Sequence, residues 1–208
     1  MRVSAETKEA TRQRILEVGQ ELFRSRGFEA TTTRDIAKAA AIASGTLFNY
    51  FPTKEAIVAA LVRSAVDDAQ RELDSQLEET SSLEEALFAY VAAELRHLKP
   101  FRKYLAPLLE TMLSPLASAA SQPEGEALRL RHLETLAALA ERHSLGESLP
   151  AIAWQLYWSL YVGVLAFWTQ DSSPKQEDTL ALLDESVQMF AAWIHGQADN
   201  GQPKSRSK

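Results

Sequence analysis

Residues 32–54 read TTRDIAKAAAIASGTLFNYFPTK, and the fold turns on how this stretch divides. Thr32 is a good helix N-cap. Asp35, three residues on, completes a capping box. Ile36, Ala37 and Ala40 give the short helix that follows one apolar side. Residues 41–43 are the expected turn. Ser44 then opens a second helix, predicted to end at Phe51 because Pro52 disfavours helical geometry in the residue before it. At about 100° per residue, Leu47, Phe48 and Phe51 fall on one side, and Thr46, Asn49 and Tyr50 on the other. The first set is apolar and is read as docking on a core. The second carries hydroxyl, amide and phenol groups, which suit base edges and phosphate oxygens. So short a helix does not persist alone. Its neighbours must hold it, as in a helix-turn-helix that presents a reading helix to the major groove.

Three pieces, RILEVGQELFRSRGFEATTTRDIAKAA, SGTLFNYF and PTKEAI, carry a resemblance to a known family. The run from residue 11 to 61 resembles the N-terminal domain of the tetracycline-repressor (TetR) family. The resemblance covers the first quarter to third of the chain. It implies a ligand-responsive DNA-binding transcription regulator, most commonly a repressor, and it assigns the DNA contacts by position. Thr32 and Thr33 would touch phosphate at the start of their helix. Thr46 and Asn49 would meet base edges, with Ser44 and Gly45 close to the DNA backbone. Tyr50 and Lys54 would contact phosphate. Gly45 also has a physical reason, since a residue without Cβ lets a helix approach DNA closely. Three positions depart from the family pattern. Ala41 stands where Gly is usual in the turn, Ala43 where a capping Ser is common, and Asn49 where His or an aromatic is frequent.

Composition points the same way. The chain has 208 residues, 46% of them hydrophobic, enough for one medium domain or two small ones. Strand signals are scarce and Ala, Leu and Glu dominate, so the expected class is all-α. No cysteine is present, which excludes disulfides and thiolate metal sites. No cofactor and no metal are expected. The first eight residues are polar and no apolar run follows, so no secretory leader is expected and the location is read as cytoplasmic. Net charge is −6, yet residues 1–54 hold nine Lys or Arg against six Asp or Glu. The positive surplus lies where phosphate contact is expected.

The rest of the chain reads as further helices, about nine in all. Gly27 is expected to stop a first helix over 7–26, and Phe28 to pack back beneath the reading helix. A helix over about 53–77 begins with Thr53 as cap and turns mostly to solvent in its later part. Helices follow over about 83–98, 101–113 (containing Pro107) and 126–143, with a loop over 114–125. Residues 150–168 are apolar and about the length of a membrane span, but Gln155, Ser159 and the lack of flanking basic residues argue against one. The last helix, over about 175–195, repeats apolar residues every three or four positions. The expected organisation is a helix-turn-helix domain over 1–60, a helical effector-binding and dimerisation domain over 61–196, and a disordered tail over 197–208.

Effector-pocket candidates are Tyr90, Glu94, His97, Phe101, Tyr104, Met112, Trp154 and Trp158, and their aromatic content favours an apolar or aromatic small molecule. Tyr161, Trp168, Leu180, Leu183, Val187, Phe190 and Ile194 form a helix-packing seam, read as a homodimer interface. The alternative is that both helices only close the chain's own core. The expected partners are double-stranded operator DNA, the effector and a second copy of the chain, with no membrane. Two other readings stand beside this one. One is a helical dimer that makes protein contacts without binding DNA. The other is an enzyme, which the lack of a nucleophile motif, metal-ligand spacing or phosphate-cradling loop disfavours. DNA binding that falls steeply with salt separates the first reading from both.

Overall fold

A computed structural model describes residues 5–76, 82–105, 123–145 and 149–201. Among them the regular structure is helical throughout. The order is α1 (Ala5–Arg26), α2 (Thr33–Ala39), α3 (Ser44–Phe48), α4 (Lys54–Gln76), α5 (Leu83–Leu98), α6 (Pro123–Arg142), α7 (Ala151–Gln170) and α8 (Glu177–Gly201). Short 3-10 turns cover Lys99–Phe101 and Pro174–Gln176.

The first three helices form a small unit whose boundaries follow from local chemistry. Gly27 adopts φ 89° and its N–H reaches Phe23 O at 3.0 Å, ending α1. The capping box opens α2: Thr32 Oγ1 accepts from Asp35 N–H at 3.2 Å, and Thr32 N–H donates to Asp35 Oδ2 at 3.0 Å. The Thr32 bonds hold the Asp35 carboxyl below its usual pKa. The end of α2 is a Schellman closure, with Ile42 N–H on Ala37 O and Ala41 N–H on Lys38 O. This places Ala41 at φ 55°. Where α1 crosses α4, an added Cβ on Gly19 would stand 3.1 Å from Ile57 Cγ2, so the glycine sets that approach.

The second unit wraps α5. Ser82 and Glu85 form another capping box at its start. Leu87, Tyr90, Val91, Glu94 and Leu98 are all buried, because α4, α6 and α8 pack around the helix. Arg102 clamps the far end of α7. Its Nε–H donates to Trp168 O at 2.8 Å, its Nη2 to Asp171 O, and its guanidinium lies over the Trp168 ring. A cation there also complements the helix dipole. One apolar core runs continuously from Ile15 of α1 to Ile194 of α8.

Several expectations need correction. The reading helix ends at Phe48, not Phe51; its last turn tightens as Tyr50 N–H and Phe51 N–H both reach Leu47 O at 2.9 Å. Phe28 packs on Phe23 and Tyr104, with ring centroids 5.3 and 6.5 Å apart, rather than beneath α3. The later part of α4 does turn mostly to solvent, but Ala69 and Leu73 keep a buried stripe against the bundle. α8 runs to Gly201, into the stretch read as tail. The helix α6 already begins at Pro123, inside the expected loop, and most of the helix expected over 101–113 lies outside the described residues.

Candidate nucleic-acid interface and effector cavity

α3 is held from beneath by Leu47, fully buried, and by Phe51, 4% exposed, while its other side chains stay clear of the core. Ser44, Gly45 and Asn49 are exposed, and Thr46 and Tyr50 are half-buried. Nothing stands within 4 Å of a Cβ placed on Gly45. Ala43, at the N-cap, makes no side-chain bond, so the hydroxyl of Ser44 belongs to the first turn. Thr32 and Thr33, one exposed and one half-buried, sit where α2 begins.

Phe48 is the residue that helical periodicity misplaced. It is 49% exposed and shares the outer surface with Asn49. The core beneath so short a helix has room for Leu47 and Phe51, about 40° apart, and Phe48 stands about 100° round from Leu47, outside that pair. Arg34 and Lys38, one turn apart on α2, are also exposed. The signal for them was two basic residues four apart on a helix packed by its other face.

Lys54 does not project outward. Its Nζ donates to Phe28 O at 2.9 Å and to Thr31 O at 3.4 Å, and lies 4.2 Å from the centroid of the Phe28 ring. It stitches the start of α4 to the loop before α2.

In the second unit the effector candidates separate. Tyr90, Glu94 and Trp158 come together in the interior around His132, which periodicity did not single out. A carboxylate only accepts, so His132 Nδ1–H donates to Glu94 Oε1 at 2.8 Å, leaving Nε2 3.2 Å from Tyr157 Oη. The rings of Tyr90, Tyr157 and Tyr161 stack on His132 with centroids 5.0, 5.5 and 3.8 Å away. Burial first, and the Glu94 charge second, push all three phenols well above the usual tyrosine pKa. They stay protonated and available as donors. Tyr90 Oη and Glu94 Oε2 are buried without a hydrogen-bond partner, although Glu94 is near enough to act on Tyr90 through its charge. A cavity of about 10 Å³ lies beside the cluster, walled by Val62 and Val66 of α4 together with His132, Trp158 and Tyr161. A second of about 10 Å³, towards α8, is lined by Tyr157, Tyr161, Leu183 and Phe190.

The remaining pocket candidates lie elsewhere. His97 is partly exposed and bonds Glu72 of α4 at 2.9 Å, beside Arg96. Arg96 and His97 together hold the Glu72 carboxyl below its usual pKa. Tyr104 packs against the first unit, 5.8 Å from the Phe23 ring. Phe101 is buried, Trp154 is half-buried, and Met112 lies outside the described residues.

The seam also divides. Tyr161, Trp168, Leu183, Val187, Phe190 and Ile194 are 6% exposed or less, turned into the chain's own core, and Leu180 alone is 38% exposed. A different pair of stripes is exposed or only half-buried. On α7 it runs through Ile152, Leu156, Leu160, Gly163 and Phe167; on the adjacent α8, through Leu182, Ser186, Met189 and Trp193. Both recur every three or four residues, so each lies on one face. α7 is long and apolar enough to cross a membrane; its exposed stripe adds to apolar residues already buried on the opposite side.

The comparisons with known proteins bear on the whole arrangement. A family model described as bacterial regulatory proteins, tetR family, matches residues 15–61. Another, described as tetracyclin repressor-like, C-terminal domain, matches residues 86–198, over half of the chain. The chain is 44% identical over 61 residues to the HTH-type transcriptional repressor KstR2 of Rhodococcus jostii (strain RHA1), spanning 29% of this chain and 30% of that protein. It is 28% identical over 101 residues to the repressor DhaR of Mycobacterium sp. (strain GP1), spanning 49% and 44%. The matched stretch thus spans about a third to a half of these relatives' length. Among solved structures, Thermus thermophilus FadR, a TetR-family transcriptional repressor in complex with lauroyl-CoA, aligns with TM-score 0.68 and 22% identity over 86% of this chain and 92% of that one. A TetR transcriptional regulator from Rhodococcus sp. RHA1 aligns with TM-score 0.69 and 18% identity over 88% and 97%. Such identities establish a shared fold. With both halves matched in sequence and the whole matched in fold, the chain belongs to the tetR family of bacterial regulatory proteins.

Proposed function

We propose that this chain is a homodimeric transcriptional repressor, resident in the cytoplasm, that binds double-stranded operator DNA and releases it when a small molecule occupies the second unit. The observation that carries the reading is α3: a helix pinned by Leu47 and Phe51 that leaves Ser44, Gly45, Phe48 and Asn49 uncovered. Thr46 and Asn49 read base edges in the major groove, and Phe48 offers an apolar contact to a thymine methyl. Thr32, Thr33, Tyr50, Arg34 and Lys38 position the duplex through phosphate. Lys54 acts indirectly, by holding the loop that carries Thr32.

The stripes on α7 and α8 support a four-helix interface between two copies. A two-fold dimer then sets its reading helices roughly 34 Å apart, one turn of DNA, on a palindromic site. The effector, with an apolar or aromatic body, occupies the Trp158–Tyr161 region. A cavity of about 10 Å³ holds little more than a water, so a ligand must displace side chains. Val62 and Val66 in its wall belong to α4, the helix that leads back to α3. Ligand entry and DNA binding then compete through the position of one helix, and each weakens the other by the same factor.

The test is selection of bound duplexes from a random pool, followed by titration of the winner against salt. Affinity falling with a steep log–log slope, together with a palindromic consensus, is expected. No enrichment, or a salt-independent interaction, overturns the reading.

A further inference from the structure

We propose that the buried cluster around Glu94 recognises an organic cation bearing an N–H donor on an apolar body. The inference rests on the reading of the second unit as an effector domain and names the chemical class it takes. Glu94 Oε1 is satisfied by His132, whereas Oε2 is buried close to the Tyr90 and Tyr161 phenols without a well-formed hydrogen bond to either. Leaving a buried carboxylate oxygen unpaired is costly, so a group that supplies a donor there gains more than an ordinary surface contact. Tyr161 lines both small cavities, stacks on His132 and feels the Glu94 charge. A ligand that displaces its ring joins the two spaces and reaches Oε2.

Three classes of occupant compete. An anion meets the Glu94 charge in a dry interior and is repelled. A purely apolar molecule fills space beside Trp158 and Leu165 but leaves Oε2 unsatisfied. A protonated amine pairs with Oε2 while its apolar body lies beside Trp158 and Leu165, which wall the same cavity.

The experiment is calorimetry on the full chain without DNA, using three probes on one body: benzylamine, benzyl alcohol and benzoate. Benzylamine is expected to bind about tenfold more tightly than benzyl alcohol, with benzoate weakest. Glu94→Gln keeps the shape, removes the charge and should reduce the amine to the level of the alcohol. If Glu94→Gln does not fold, the wild-type series decides. Alcohol or benzoate binding as tightly as the amine, or no amine binding at all, overturns the proposal. Because no DNA is present, the two readings fail separately. Operator binding without amine preference removes only this inference, and amine preference without operator binding removes only the repressor reading.

Discussion

Lys54 Nζ lies 2.9 Å from Phe28 O and 4.2 Å from the Phe28 ring centroid, so a cation at the mouth of the reading unit is spent on its own backbone. Lys54→Met should therefore lower stability by about 1–2 kcal/mol through the two lost carbonyl bonds. The salt slope of DNA binding should be unchanged, whereas removal of a true phosphate contact lowers it by about 0.9. Urea unfolding and a salt titration of the same variant separate the two roles.

Neighbouring positions on α3 should respond in opposite ways. Leu47→Ala empties the core beneath the helix and should cost about 2–5 kcal/mol in stability. Phe48→Ala and Asn49→Ala, at uncovered positions, should stay within about 0.5 kcal/mol of the parent. Each should relax discrimination at a base pair by about 1–3 kcal/mol, read by competition between operator variants. Undiminished discrimination in both variants would take base reading away from this face.

On α8, adjacent residues test the proposed dimer. Met189 is 68% exposed on the outer stripe, and Phe190 is 1% exposed in the core. Met189→Asp should give folded monomers by sedimentation, with operator affinity lost. Phe190→Asp buries an unpaired charge and should cost about 4 kcal/mol or more, so the chain unfolds instead of dissociating. A Met189→Asp chain that still sediments as a dimer places the interface elsewhere.

Asp171 governs the turn between α7 and α8. Its Oδ2 accepts from Thr179 Oγ1 at 2.5 Å and Thr179 N–H at 3.1 Å, and Oδ1 accepts from Ser173 N–H at 2.7 Å. These bonds, the Thr179 hydroxyl foremost, lower its pKa to about 2. A carboxyl depressed in the folded state contributes stability above its unfolded pKa near 3.8, and that contribution fades as pH falls towards about 2. The loss of stability between about pH 4 and pH 2 should be smaller in Asp171→Asn, by denaturant midpoints at stepped pH.

Ala41 holds φ 55° where a Schellman closure favours glycine. Ala41→Gly relieves about 1–2 kcal/mol of left-handed strain against an entropic cost of about 0.5–1 kcal/mol. A net gain of up to about 1.5 kcal/mol is expected, visible as a melting temperature raised by a few degrees.

The helix-turn-helix was legible in residues 32–54 because its signals are local. A capping box, a turn and a proline stop act over three or four residues, and a capping side chain meets its partner wherever the rest of the chain lies. The all-α class and most helix boundaries were legible for the same reason. Periodicity also marked which helices were amphipathic. Which neighbour each apolar face would meet was settled only by packing. Phe48 was assigned to the core by angle, yet the space under α3 was already filled by Leu47 and Phe51. The repeat through Leu183, Val187, Phe190 and Ile194 suits a partner chain and the chain's own α5 and α7 equally well, since an apolar stripe carries no address. His132 is one of four histidines without metal-ligand spacing in the sequence, and a lone histidine acquires meaning only when a carboxylate from another helix reaches its ring. Local hydrogen bonding and helical period were determined by the sequence itself; burial, which depends on distant residues competing for one interior, was decided by the tertiary structure.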